Sequence, residues 1–143
     1  MACVARLSLV EIDIFLTSAS PGQRDIVRAL REIITRRASG LAERVSRDKT
    51  LTGYLLYEGP GDQLVFAIGL TGARTVTLRL MPYDGSRELQ ARYGAAFGPF
   101  QVGQDSLRFG DLAELPAEAI GAVVDATPGY LEAAPGAKRR RRR

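Results

Sequence analysis

The chain has 143 residues, 45% of them apolar, with 20 Lys and Arg against 16 Asp and Glu and a formal net charge of +4. Six of those cations are the final residues Lys138, Arg139, Arg140, Arg141, Arg142 and Arg143; setting them aside leaves 14 basic against 16 acidic residues, so the preceding body is mildly acidic at −2. Histidine and tryptophan are absent and Cys3 is the single cysteine, which excludes histidine-dependent nucleophilic catalysis, an intrachain disulfide and the usual zinc ligand sets.

Glu11 to Leu16 reads as one or two helical turns. Ser20-Pro21-Gly22-Gln23 marks a helix start, with Ser as N-cap, Pro at the first helical position and Gln three residues after the cap. Ile26, Val27, Leu30, Ile33 and Ile34 then fall on one side of a helix running to about Ala38, and Arg24, Arg28 and Arg31 fall on the other. That second side reads as a solvated face, with Arg28 and Glu32, and Glu32 and Arg36, at ion-pair spacing. Gly40 breaks the pattern, and Leu41 to Val45 reads as a further turn.

From Thr50 the period becomes two. Leu51, Gly53, Leu55 and Tyr57 alternate with Thr52, Tyr54, Leu56 and Glu58, and Gly59-Pro60-Gly61-Asp62 is a turn signal. The next strand sets Leu64, Phe66, Ile68 and Leu70 on one face and Val65, Ala67 and Gly69 on the other. After Thr71-Gly72-Ala73 a third strand alternates Val76, Leu78 and Leu80 with Thr75, Thr77, Arg79 and Met81, and Pro82 ends it. Short connections make these strands an antiparallel meander. Ser86 to Phe97 returns to helix, Ser106 to Phe109 reads as a fourth short strand, and Pro116 opens a last helix closed by Thr127-Pro128-Gly129.

The expected fold is therefore α+β: a single domain with an antiparallel sheet of three to four strands and flanking helices in the order α-α-β-β-β-α-β-α. Residues 1–131 form the domain, and residues 132–143 are a disordered Ala/Pro/Gly linker with the basic tail. No segment approaches the ~20 apolar residues of a membrane-spanning helix. Arg6, Glu11 and Asp13 interrupt any secretion-signal core, and a lone thiol suits a reducing compartment, so a cytoplasmic protein is expected.

Candidate chemistry is sparse. Ser46-Arg47-Asp48-Lys49 matches the S-x-x-K pattern of serine acyl enzymes, but the Ser-Asp-Asn and Lys-Thr-Gly elements that complete that site are missing. The carboxylate pairs Glu11 with Asp13, Glu58 with Asp62 and Glu114 with Glu118 sit at element ends, where solvated carboxylates are ordinary, so neither a metal nor a cofactor is expected. Gly59-Pro60-Gly61 has Leu64 where a dinucleotide fingerprint needs its third glycine.

The third strand offers more. If Val76, Leu78 and Leu80 face the core, Thr77, Arg79 and Met81 face away, beside Ala67 and Gly69 on one neighbour and Tyr54 on another. Small residues at mid-sheet leave room, and Arg79 supplies a fixed cation, so Arg79, Tyr54, Ala67, Gly69, Thr77 and Met81 are the candidate site for a small anionic or amphipathic ligand. The cations Lys138 to Arg143 would hold nucleic acid without reading its sequence.

Ile12-Asp13-Ile14-Phe15-Leu16, Ile26-Val27-Arg28-Ala29-Leu30-Arg31-Glu32-Ile33-Ile34, Leu41-Ala42-Glu43-Arg44-Val45, Thr77-Leu78-Arg79-Leu80-Met81-Pro82 and Ser106-Leu107-Arg108-Phe109 before Leu115-Pro116 follow one another in an order that resembles the YdhG-like family of small bacterial domains. The resemblance implies a compact α+β domain with an antiparallel sheet, and some members look like frataxin-type iron chaperones. The leading expectation is a non-enzymatic module that binds a small ligand or a protein. The alternatives are a nucleic-acid accessory protein acting through its tail, an enzyme using carboxylate, tyrosine or arginine chemistry, and the iron-handling role.

Overall fold

Two reciprocal caps open the first helices. Ser8 Oγ accepts from the Glu11 N–H (3.1 Å) while Glu11 Oε1 accepts from the Ser8 N–H (3.0 Å), starting α1 (Leu9–Phe15). Ser20 and Gln23 repeat the device at 3.2 and 2.9 Å, with Pro21 leading α2 (Pro21–Arg37). The Gln23 side chain also donates to the carbonyls of Gly72 (3.2 Å) and Thr75 (2.9 Å), which fixes the helix start against a turn of the sheet. The computed structural model describes residues 6–47 and 53–133. The Ser46 to Lys49 motif thus lies partly, and Lys138 to Arg143 wholly, outside the described residues.

The sheet has five antiparallel strands in chain order: β1 (Ala42–Arg47), β2 (Gly53–Gly59), β3 (Gln63–Thr71), β4 (Thr75–Leu80) and β5 (Ser106–Phe109). The fold is α+β with one antiparallel sheet, as expected, but one strand larger. The segment Leu41 to Val45, expected as a turn, carries β1, pairing Glu43 with Tyr57 and Val45 with Leu55. Its Ala, Glu and Arg residues are good helix formers, and pairing along β2 overrides that preference. Helices α3 (Met81–Asp84) and α4 (Arg87–Phe97) separate β4 from β5, and α5 (Ala117–Asp125) and α6 (Thr127–Ala133) follow.

Thr127-Pro128-Gly129 follows the end of α5, as expected, but opens a further helix, so α5 is not the last. Thr127 is buried and donates to the Val124 carbonyl (2.6 Å), and Pro128 sits in the first turn, where its missing N–H costs nothing. The helix carries Glu132 and Ala133 past the expected boundary at 131.

Pairing assigns every strand residue to a face, because residues directly opposite one another point the same way. Val45, Leu55, Ile68, Leu78 and Leu107 form one row toward the helices, and Glu43, Tyr57, Phe66 and Leu80 form another. The register shifts between Tyr57 and Glu58, leaving Val65 unpaired, so the alternation expected for β3 fails locally and Val65 and Phe66 are both buried. Against this face lie Ile26, Val27, Leu30 and Ile34 of α2, Phe97 of α4 and Ile120, Val123 and Val124 of α5, all fully buried in one core.

Candidate functional site

The other face holds the candidate residues. One row across the sheet reads Arg44, Leu56, Ala67, Arg79, Ser106; the next reads Ser46, Tyr54, Gly69, Thr77, Arg108. Tyr54, Leu56 and Ala67 lie outside the helix-side core, and Arg44, Arg79 and Arg108 are exposed. The pairing therefore brings Tyr54, Gly69 and Thr77 into one line and sets Ala67 beside Arg79, with Met81 just past the end of β4. A strip of Tyr54, Leu56, Ala67 and Gly69 runs between Arg44 on β1 and the arginines Arg79 and Arg108 on β4 and β5.

Two details differ from a hollow. An added Cβ at Gly69 would lie 2.7 Å from Tyr54 Cε1, so the room expected there is taken by the Tyr54 ring. Arg79 is not a free cation either: its Nη2 lies 3.1 Å from Asp105 Oδ2 and 4.0 Å from Met81 Sδ. Asp105 is held in turn by the Ser106 hydroxyl (2.9 Å). Arg44 grips Glu58 through two bonds, 2.7 and 3.2 Å. Among the described residues Arg108 makes no ion pair, so an anion can reach it without competing with a carboxylate. Thr71 Oγ1 lies 3.0 Å from Thr77 Oγ1 and 3.2 Å from Thr75 Oγ1, a hydroxyl ladder beside the strip.

Gly69→Ala should swing the Tyr54 ring outward at a cost below about 1 kcal/mol, since the ring borders solvent and alanine is the better strand residue. Shifted Tyr54 ring resonances with a nearly unchanged melting temperature would bear this out. A loss of several kcal/mol would mean that the ring is locked.

On the helix side, the arginine stripe of α2 departs from the expected solvated face. The pair of Glu32 with Arg36 forms (3.4 Å), but Arg28 turns to Asp13 (3.3 Å) instead of Glu32. Arg31 turns inward to Glu43, whose side chain has no exposed surface. Glu43 Oε2 accepts from Arg31 Nε (2.7 Å) and the Tyr57 hydroxyl (2.5 Å), and Oε1 accepts from Arg31 Nη2 (2.9 Å) and the Leu7 N–H (3.0 Å). Arg31 Nη2 also donates to the Leu7 carbonyl (3.1 Å), so both halves of one backbone unit are held. Arg6 adds bonds to the Leu41 and Ser39 carbonyls.

Burial drives the Glu43 carboxyl upward, but the bonds from Arg31, Tyr57 and Leu7 outweigh it and hold the group below the ordinary carboxylate range. Burial, followed by the bond to Glu43, drives the Tyr57 phenol far above its usual value. Every hydrogen-bonding position of this carboxylate is engaged and none faces solvent, which makes the constellation a clamp between the first residues, α2, β1 and β2. The signal for it in the sequence is the alternation Leu41, Glu43, Val45, which places a carboxylate between two core positions.

Two concavities among the described residues lie between helices. One of about 600 Å³ is bordered by Pro82, Leu89, Tyr93, Ala126 and Tyr130; another of about 460 Å³, between α1 and α2, is bordered by Leu9, Asp13, Arg28 and Glu32. Among the described residues no three carboxylates or thiols gather to hold a metal ion, and no helix is long and apolar enough to cross a membrane. No protein-family model, curated protein or solved structure matches the chain.

Proposed function

We propose that the protein is a non-enzymatic binding module whose working surface is the face of the sheet opposite the described helices. The observation that carries this reading is the strip of Tyr54, Leu56 and Ala67, outside the helix-side core and flanked by Arg44, Arg79 and Arg108. Such a surface suits a small anion with a flat apolar part: the apolar part lies on the half-buried Tyr54 and Leu56, above Ala67, which is itself only 3% exposed, and the charge goes to Arg108 and, by sharing with Asp105, to Arg79. Beside the strip the Ser106 hydroxyl donates to Asp105 (2.9 Å), but that carboxylate is already paired with Arg79 (3.1 Å), which favours binding over activation of the hydroxyl. Single exposed charge contacts are worth about 0.2–1 kcal/mol, so the apolar strip supplies much of the affinity and the arginines supply orientation.

The kinship with YdhG-like domains belongs to the same proposal and rests on the segments quoted above. An iron-handling role draws no support from the described side chains, which lack a donor cluster.

Titration with phenyl phosphate, followed residue by residue by NMR, tests the reading. Shifts are expected at Tyr54, Ala67, Thr77, Arg79 and Arg108, with inorganic phosphate weaker. Arg108→Ala should weaken binding about two- to fivefold, the equivalent of roughly 0.4–1 kcal/mol. Shifts confined to Tyr93 and Tyr130 would move the site to the helical groove and overturn the proposal.

A further inference from the structure

The threonines of β3 and β4 hold a hydroxyl proton that the chain leaves unused. Thr71 opposes Thr75 on the outer face of the sheet, and Thr77 lies between Gly69 on β3 and Arg108 on β5. Each hydroxyl has one proton to donate. That of Thr75 goes to the Thr71 carbonyl. That of Thr71 has three acceptors in reach, the hydroxyl oxygens of Thr77 (3.0 Å) and Thr75 (3.2 Å) and the Thr75 carbonyl (3.4 Å), of which Thr77 is the nearest. Thr77 Oγ1 then accepts from Thr71, and its own proton has no acceptor among the described residues.

Directly opposite Thr77 stands Arg108, exposed, with a guanidinium that makes neither an ion pair nor a hydrogen bond among the described residues. The carboxylates that flank β5 in the chain are engaged elsewhere: Asp105 by Arg79 (3.1 Å) and the Ser106 hydroxyl (2.9 Å), and Asp111 by the Ala113 N–H (3.1 Å). A hydroxyl donor and a guanidinium, each without an acceptor and on strands about 4.8 Å apart, together suit an anion, and their arrangement bears on its shape. The arginine fork takes two oxygens lying in one plane, and a carboxylate has only those two. A phosphoryl or sulfuryl group keeps a third oxygen out of that plane. We infer that the sheet face selects tetrahedral oxyanions, the phosphate or sulfate esters of a flat apolar group, over planar carboxylates, with two oxygens on Arg108 and a third on the Thr77 hydroxyl. The Tyr54 ring covers Gly69, the residue of β3 opposite Thr77, so a ligand ring stacked there sets its ester oxygen one strand spacing away, toward β4. This inference rests on the sheet face being the binding surface and names the class of ligand it takes.

NMR titration of the full chain with phenyl phosphate, phenyl sulfate and phenylacetate, which share a ring and a one-atom spacer, tests it. Both esters should bind about three- to fivefold tighter than phenylacetate, the margin of one exposed charge-assisted contact, and should shift Thr77 more; whichever ester leads names the group. Thr77→Val should bring the three ligands within about twofold of one another, a difference too small for a surviving contact of that kind, and Thr77→Ser should keep the preference. Removing the Thr77 hydroxyl leaves Thr71 the Thr75 oxygen as acceptor, so the valine variant should fold as the parent does. Equal binding of all three ligands on this face overturns the selection and leaves the sheet-face reading standing. A preference that survives Thr77→Val belongs to another donor and overturns it as well. Shifts confined to other surfaces remove the reading itself, and the inference with it.

Discussion

Glu43→Ala is expected to remove about 3–5 kcal/mol of stability, because it strands the Arg31 guanidinium, the Tyr57 hydroxyl and the Leu7 N–H around an empty site. Domains of this kind hold only about 5–15 kcal/mol in total, so the variant should unfold at a fraction of the parent's denaturant concentration. The loss measures stranded partners rather than the worth of the ion pair itself. Replacing both charges with shape-matched apolar groups, Arg31→Met with Glu43→Leu, should therefore cost much less than Glu43→Ala alone. Denaturant unfolding of the two single variants and the double variant gives the coupling. A Glu43→Ala protein within about 0.5 kcal/mol of the parent would show that the clamp contributes nothing.

The clamp also marks where local pattern stops informing. Helix α2 is legible down to its cap because Ser20, Pro21 and Gln23 act within one turn, and the buried set Ile26, Val27, Leu30 and Ile34 follows from the helical period alone. The faces of β4 are equally legible, since alternation separates Val76, Leu78 and Leu80 from Thr77 and Arg79. Strand β1 was hidden because helix-forming residues there yield to pairing with β2, and with it went the partner of Arg31. Arg31 looked solvated because its own helix places it opposite the apolar side, and only the strand that arrives twelve residues later makes that side an interior.

The candidate face divides in the same way. That Tyr54, Gly69 and Thr77 share a line, with Ala67 beside Arg79, followed from period two and a meander. Two other features depend on structure that alternation does not encode. The Tyr54 rotamer, which covers Gly69, is a choice among side-chain torsions, and the pair of Arg79 with Asp105 depends on β5 returning beside β4 after two helices. Expectation thus succeeded at the level of faces and failed at the level of free space and free charge, the two properties that decide what a surface binds.

Stability should be highest between about pH 5 and pH 10, and the clamp should contribute to the fall at both ends. Glu43 titrates lower folded than unfolded, so its contribution is complete above the unfolded carboxylate value of about 4.3 and disappears as pH falls through the lower folded value. Tyr57 titrates higher folded than unfolded. Its contribution is complete below the unfolded phenol value of about 10 and shrinks as pH rises beyond it, because the unfolded chain can release a proton that the folded chain retains. Tyr57→Phe should cost about 1.5–3 kcal/mol at neutral pH, the weight of a hydrogen bond to a charged group, and should flatten the alkaline limb while leaving an acidic one. Glu43→Gln should do the converse on the acid side, with Arg31 left unpaired at every pH. Denaturant unfolding of parent and variants at intervals from pH 3 to pH 11, read as difference curves, isolates these two groups from the other carboxylates and tyrosines. An alkaline limb as steep in Tyr57→Phe as in the parent would assign the base-side loss to another group and would remove Tyr57 from the pH response.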